Sequence, residues 1–240
     1  MVGKQLEVSS RHDWNAYKAI FASGGRIHIP DFLVRSDAEY LHEQLAVSDK
    51  WSTVINTDKS VYDLPQHALE ALSPEDRTRL DNSIIAAASK RYQFRFDTWR
   101  ISENGELPPA DNPLWPLAKL LNGPRFLTAM KNVLGRPDIA FADMQATRYM
   151  PGHFLHIHDD IDTGKGRIAA YVLNLTPTWA TEWGGLLCFT DVEGHVSEGY
   201  TPKFNALNLL KVGSPHFVSF VAPFASAPRL SVTGWLRSRS

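Results

Sequence analysis

The chain has 240 residues, 43% hydrophobic and 21% charged, with 15 Gly and 15 Pro; this ordinary globular composition excludes collagen-like, low-complexity and disordered classes. The formal net charge is -1, from 25 basic and 26 acidic side chains with no block of like sign, so neither a nucleic-acid partner nor a membrane surface is expected. Cys188 is the one cysteine, which rules out an intramolecular disulfide and disfavours a cysteine-built zinc site.

The opening residues, MVGKQLEVSSRHDW, lack the apolar stretch of a signal peptide. The longest apolar run, roughly eight residues from Ile168, is far short of the ~20 that a spanning helix needs. A soluble, cytoplasmic protein is therefore expected. The first part reads as mainly helical. Ser36 is the expected N-cap of DAEYLHEQLAV, with Asp37 and Glu39 in its first turn and Leu41, Leu45 and Ala46 along one stripe. SPEDRTRLDNSIIAAASKRY is a second helix, capped by Ser73 with Pro74 at its first position. RYQFRFDTWRI alternates as a strand does, and ENGELPPADNP is a loop. PLWPLAKLL and GPRFLTAMKNVLG follow as short helices, the second closed by Gly135.

From about Phe141 the periodicity becomes strand-like: FADMQATRYM, HFLHIH, RIAAYVLNL, GLLCFTD, FNALNLLK, HFVSFVA and PRLSVTGWL, with turn residues between them. Such a series predicts a β sandwich or barrel. RIAAYVLNL is apolar on both faces, which suits a strand covered by helices on one side. No repeat or linker divides the chain, so 1–240 reads as one domain, with a mostly helical support layer and edge strands over 1–140 and a β core over 141–240.

The chemistry concentrates at GHFLHIHDDID. Residues i and i+2 of a strand share a face, so His158 and Asp160 can hold one borderline divalent metal. His156 lies on that same face and competes with the pair, whereas Asp159 points away. The third ligand must come from elsewhere. His216 opens a strand 58 residues after His158, and His195, in the loop-like EGHVSEGY, is its competitor. Two histidines and a carboxylate on one face of an octahedron leave positions open for reactants. The alternative is a surface histidine beside solvated turn acids. In PRLSVTGWL, residues Arg229, Ser231, Thr233 and Trp235 share a face. An arginine turned into a barrel needs an anion, and its planar fork suits a carboxylate, with Ser231 adding a hydroxyl. A dicarboxylate bound to the metal at one end and to Arg229 at the other accounts for both features; a salt bridge to a protein acid is the competing explanation. Gly184 and Gly185 mark a turn, Cys188 a buried small hydrophobe, and Trp235 core packing.

The stretch from Tyr149 to Trp235 resembles the 2-oxoglutarate- and Fe(II)-dependent dioxygenases of the prolyl-4-hydroxylase-like type, through RYMPGHFLHIHDD, Arg167 leading into AAYVLNLT, WGGLLCF, His216 and RLSVTGW. The look is nearest to bacterial relatives of the enzymes that hydroxylate a proline of a ribosomal protein. The resemblance implies a double-stranded β-helix (jelly-roll) core with the N-terminal helices packed outside. It implies iron on His158, Asp160 and His216, the 2-oxoglutarate distal carboxylate on Arg229, and Tyr149 beside the cosubstrate; Tyr171 is a weaker cosubstrate candidate whose alternative is core packing. O2 is the co-reactant and ascorbate a candidate accessory reductant. Related halogenating enzymes lack the carboxylate ligand, so Asp160 implies hydroxylation of an unactivated C–H bond. A peptidyl proline is the first substrate candidate, and a free amino acid or other small molecule the second. A non-enzymatic jelly-roll module that binds metal or ligand is the alternative of a different class.

Overall fold

Local signals decide where the helices begin and end. A computed structural model describes residues 4–57 and 60–239; the first three residues of the segment read for a signal peptide lie outside the described residues. Helix α1 (Trp14–Gly24) is capped by the Asp13 carboxylate, which accepts from the Asn15 and Ala16 N–H groups, and ends at Gly25 with φ 66°. Strand β1 (Arg26–Ile29) follows. Helix α2 (Arg35–Ala46) begins earlier than expected. Val34 takes the capping position with no side-chain bond, so Ser36 lies inside the helix and caps nothing. Strands β2 (Ser52–Asn56) and β3 (Val61–Pro65) form a hairpin, and α3 (Gln66–Glu70) is a short turn of helix. Helix α4 (Pro74–Ala88) starts as the sequence predicts, Ser73 accepting from the Asp76 N–H. Strand β4 (Phe94–Ser102), α5 (Trp115–Leu121) and α6 (Pro124–Leu134), the last closed by Gly135 at φ 63°, complete the N-terminal part.

The remaining strands are β5 (Ile139–Ala142), β6 (Met144–Tyr149), β7 (Phe154–His158), β8 (Arg167–Asn174), β9 (Leu187–Thr190), β10 (Val196–Tyr200), β11 (Ala206–Lys211), β12 (His216–Val218) and β13 (Arg229–Ser238). Two expectations are corrected here. EGHVSEGY is not all loop, because Val196–Tyr200 pairs with β9. HFVSFVA yields only three strand residues, because Val221 leaves the ladder to donate its N–H to the His153 carbonyl. The N-terminal part also contributes β1, β2 and β3; edge strands are expected there, but the sequence pattern locates none of these three.

The fold is mainly β, a jelly-roll double-stranded β-helix whose strands run in the order β1-β11-β8-β13-β6-β4-β7-β12-β9-β10. Strand β4 pairs with both β6 and β7 and so joins the two walls. The helices cover the wall built of β1, β11, β8, β13 and β6. Leu173, Leu207, Leu209, Leu230 and Val232 are buried in one cluster with Leu41 and Leu45 of α2, Leu117 and Leu121 of α5 and Met130 of α6. Each such side chain contributes about 1.5–3 kcal/mol through burial. Helix α4 lies on the other wall, its Ile84 against Ile55 and Phe154. The opposite face of the β8–β13–β6 strands points into the barrel: Tyr149 faces Arg229, and Ser231 faces both Thr147 and Asn174. Strands β1 and β10 end the path and do not pair with each other. Side chains bridge that seam instead: Arg26 to Glu198 as an ion pair and the His28 ring against Tyr200 at 5.4 Å. His28 Nδ1 is also 2.7 Å from Asn208 Oδ1. No helix among the described residues is long and apolar enough to cross a membrane.

Candidate metal and cosubstrate site

Strands β7 and β12 run antiparallel with His158 directly opposite His216, and their imidazole centroids are 4.1 Å apart. Asp160 joins them, its carboxylate oxygens 3.7 Å from His158 Nε2 and 3.5 Å from His216 Nε2. Each of the three offers one ligand atom, and these atoms lie within 4.8 Å of one another. The other nitrogen of each ring faces a backbone carbonyl: His158 Nδ1 is 3.0 Å from the His156 oxygen and His216 Nδ1 is 2.8 Å from the Ser214 oxygen. Those contacts place the ring protons on Nδ1 and leave both Nε2 lone pairs for a metal. Burial, and then the neighbouring His158, push the His216 pKa down, which favours the neutral, ligating imidazole.

Asp160 does not reach this position by strand alternation. Strand β7 ends at His158, and Asp160 sits beyond it at φ 63°, in the left-handed region. The Asp159 carboxylate accepts from the Ile161 N–H at 3.0 Å and its carbonyl from the Gly213 N–H at 2.8 Å, so Asp159 is a turn acid. His156 is not on the His158 face either. Between the pairs His216↔His158 and Val218↔Leu155, β7 carries one residue more than β12, and such a bulge inverts the alternation. Leu155 packs inward with Tyr149, Val218 and Phe96. The His156 ring lies 5.1 Å from that of Phe154, and its Nδ1 accepts from the Gln93 N–H at 3.2 Å. His195 is an exposed loop residue beside Glu193.

Arg229 is 2% exposed, and no carboxylate among the described residues pairs with it. Its Nε is buried without a hydrogen-bond partner. The guanidinium carbon lies 5.0 Å from the Tyr149 ring centre, and Tyr149 stacks in turn on Phe96 at 5.3 Å. Burial lowers the Arg229 pKa and raises that of Tyr149. A buried cation without an anion is expensive, so this cradle fits an incoming carboxylate. Ser231 Oγ is 2.8 Å from Thr147 Oγ1; the pair uses one of its two hydroxyl protons and keeps the other to donate. Asn174, which shares this face, has its Oδ1 unpartnered. Tyr171 is corrected. It lies on the opposite face of β8, fully buried in the cluster beneath the helices, and its hydroxyl donates to the Asp143 carbonyl at 2.7 Å. Cys188 is buried, and burial pushes its thiol pKa up. Gly184 and Gly185 both have positive φ, and a side chain at Gly184 would stand 2.0 Å from the Phe220 carbonyl oxygen.

In sequence, Arg167 has no role beyond the resemblance, and Trp235 is expected in the core. The Arg167 guanidinium carbon sits 3.7 Å from the Trp235 ring centre, and its Nη1 donates to the Asp160 carbonyl at 3.3 Å. Trp235 packs inward with Ala170, Leu187, Phe189 and Leu210. An arginine opening a strand seven residues after the acid was the available signal.

Residues 144–237 match the 2OG-Fe(II) oxygenase superfamily, a segment that contains the stretch from Tyr149 to Trp235. No curated protein matches the sequence. Among solved structures, a prolyl-4-hydroxylase of Pseudomonas putida superposes with a TM-score of 0.61 at 20% identity, over 95% of this chain and 100% of that one. A 2OG-Fe(II) oxygenase family oxidoreductase of Burkholderia pseudomallei gives 0.63 at 14% identity, over 97% and 94%. A Trichoplax adhaerens prolyl hydroxylase, solved with a hypoxia-inducible-factor peptide, gives 0.59 at 18% identity, over 94% and 89%. The fold is prolyl-4-hydroxylase-like.

Proposed function

We propose that this chain, whose residues 144–237 match the 2OG-Fe(II) oxygenases, is an Fe(II)- and 2-oxoglutarate-dependent dioxygenase that hydroxylates an unactivated C–H bond. The observation that carries the reading is Arg229: a buried guanidinium with no acid paired to it among the described residues, in the same barrel as a His-Asp-His cluster. His158 and His216 would hold the metal through Nε2 and Asp160 through its carboxylate, and a set of three protein ligands would leave positions for a chelating cosubstrate and O2. Arg229 holds the distal carboxylate in a fixed fork, and Tyr149 forms the floor beneath it. The free hydroxyl proton of the Thr147–Ser231 pair points the same carboxylate. Leu155, Leu187 and Val218 line the apolar wall and exclude water. Iron and 2-oxoglutarate, when bound, supply the oxidation: 2-oxoglutarate loses CO2, one oxygen atom of O2 enters succinate and the other enters the substrate C–H bond.

A peptidyl proline is the first substrate candidate, supported by the shared fold with two prolyl hydroxylases; a free amino acid or other small molecule is the second. A cytoplasmic setting belongs to the same proposal, and the single, buried thiol is compatible with it. A binding module without activity is disfavoured by the buried Arg229 lying in the same barrel as a complete His-Asp-His cluster. The test is anaerobic titration of 2-oxoglutarate into the Mn(II)-loaded protein. Arg229→Ala should raise the 2-oxoglutarate Kd by about 10²–10³-fold, a loss on the order of 3–4 kcal/mol, while Mn(II) still binds. Arg229→Lys should lose less, since a point charge survives. An unchanged Kd in Arg229→Ala refutes the assignment. Succinate release dependent on both Fe(II) and 2-oxoglutarate then separates enzyme from module, and proline peptides from free proline.

A further inference from the structure

We infer that Arg167 is a positioning residue for Asp160: it fixes the left-handed turn that turns this carboxylate toward the two histidines. The inference rests on the proposed metal site and extends it to a residue on another strand. At φ 63° Asp160 occupies the left-handed region, which is uncommon for residues other than glycine but open to Asp, so its surroundings decide whether it stays there. Backbone contacts anchor the residue before it, through the Gly213 N–H and the Ile161 N–H. Arg167 holds Asp160 itself, by donating from Nη1 to its carbonyl at 3.3 Å.

Arg167 is itself held for that task. Its guanidinium lies against the Trp235 indole, 3.7 Å from carbon to ring centre, and its Nη2 is 3.7 Å from the Asp162 carboxylate. The side chain is 15% exposed. Stacking and an ion pair together leave a long side chain little freedom. Asp162 and Asp160 flank Ile161, so one cation spans the turn: it binds the carboxylate on one side and the carbonyl on the other. If the turn relaxed into the extended region, the Asp160 carboxylate would leave the two Nε2 atoms, and the site would keep two ligands.

Groups that orient a ligand typically change metal affinity by about 10–100-fold when removed. The experiment is Mn(II) binding to metal-free protein, read as loss of the free-ion electron paramagnetic resonance signal, for wild type, Arg167→Ala, Arg167→Lys and His216→Ala. Each protein's melting temperature is measured without metal. Arg167→Ala should weaken Mn(II) by about 10–100-fold with a small change in melting temperature, and Arg167→Lys should recover most of the loss. Equal Mn(II) affinity in Arg167→Ala and wild type overturns the inference. So does a loss that Arg167→Lys shares in full together with a collapsed melting temperature, which marks a merely structural residue. If Arg167→Ala does not fold, Arg167→Gln, which keeps the stem, takes its place under the same criteria. Failure of the wild type to bind Mn(II), or His216→Ala binding as tightly as wild type, refutes the metal site itself.

Discussion

His153 is 4% exposed, its Nδ1 has no partner, and burial holds its pKa down to about 4. In the unfolded chain the same imidazole titrates near 6.5, so between these values the unfolded state binds the extra proton. Stability is therefore complete above about pH 6.5 and falls as the pH drops toward 4, by on the order of 3 kcal/mol from this residue. His153→Met, apolar and of similar bulk, should flatten that slope. Urea unfolding of the metal-free proteins at pH 7 and pH 4.5 measures it. His216 contributes in the same direction in both proteins and cancels in the comparison; identical slopes would count against the assignment. Single residues also show how far the site could be read from sequence. The clustering of His158, Asp160 and His216 was legible from their spacing together with the resemblance, and the burial of Arg229 from its place on a strand face turned into the barrel. The geometry behind Asp160 was not, since neither a left-handed residue nor a bulge interrupts the letters H-I-H-D-D. That same bulge sent His156 outward, and apolar neighbours on both faces of β8 hid which way Tyr171 points.

At the scale of elements, two serines make a controlled pair. Ser73 Oγ accepts from the Asp76 N–H at 3.1 Å, whereas Ser36 sits inside α2 and no side chain caps that helix. Ser73→Ala should cost about 1 kcal/mol, and Ser36→Ala should be neutral or stabilise by a few tenths of a kcal/mol, because alanine is the better helix former. Urea midpoints decide; equal losses would contradict the capping geometry. Helices α4, α5 and α6 were legible in sequence because Pro, Gly and Ser punctuate them, and α2 through its apolar stripe; the five-residue α3 was not. Strands β1, β2 and β3 were not, being four or five residues long and identified by their partners more than by their own pattern. Ile27 and Ile29 of β1 pair with Leu209 and Leu207 of β11, partners 182 and 178 residues away that no local window contains.

The whole molecule is a barrel whose first and last strands in the ladder order remain unpaired with each other. The Arg26–Glu198 ion pair, the Arg26 guanidinium over Phe189 at 4.6 Å and the His28–Tyr200 contact span the gap. A partly exposed ion pair is worth little, up to about 1 kcal/mol. Arg26→Ala should therefore speed amide hydrogen exchange in Val196–Tyr200 by about two- to fivefold and leave β8 and β13 unchanged. Uniform acceleration across all three strands would show that the gap is not a separate unit. Mechanically, a tube slit along its length yields to twisting and widening far more readily than an intact one, and it yields at the slit. His216 stands on β12, two strands in from that edge, and Arg229 on β13, three strands in from the other. The protein is thus a split sleeve: its bore can flex where β1 meets β10, while the wall that carries the reactive groups keeps its shape.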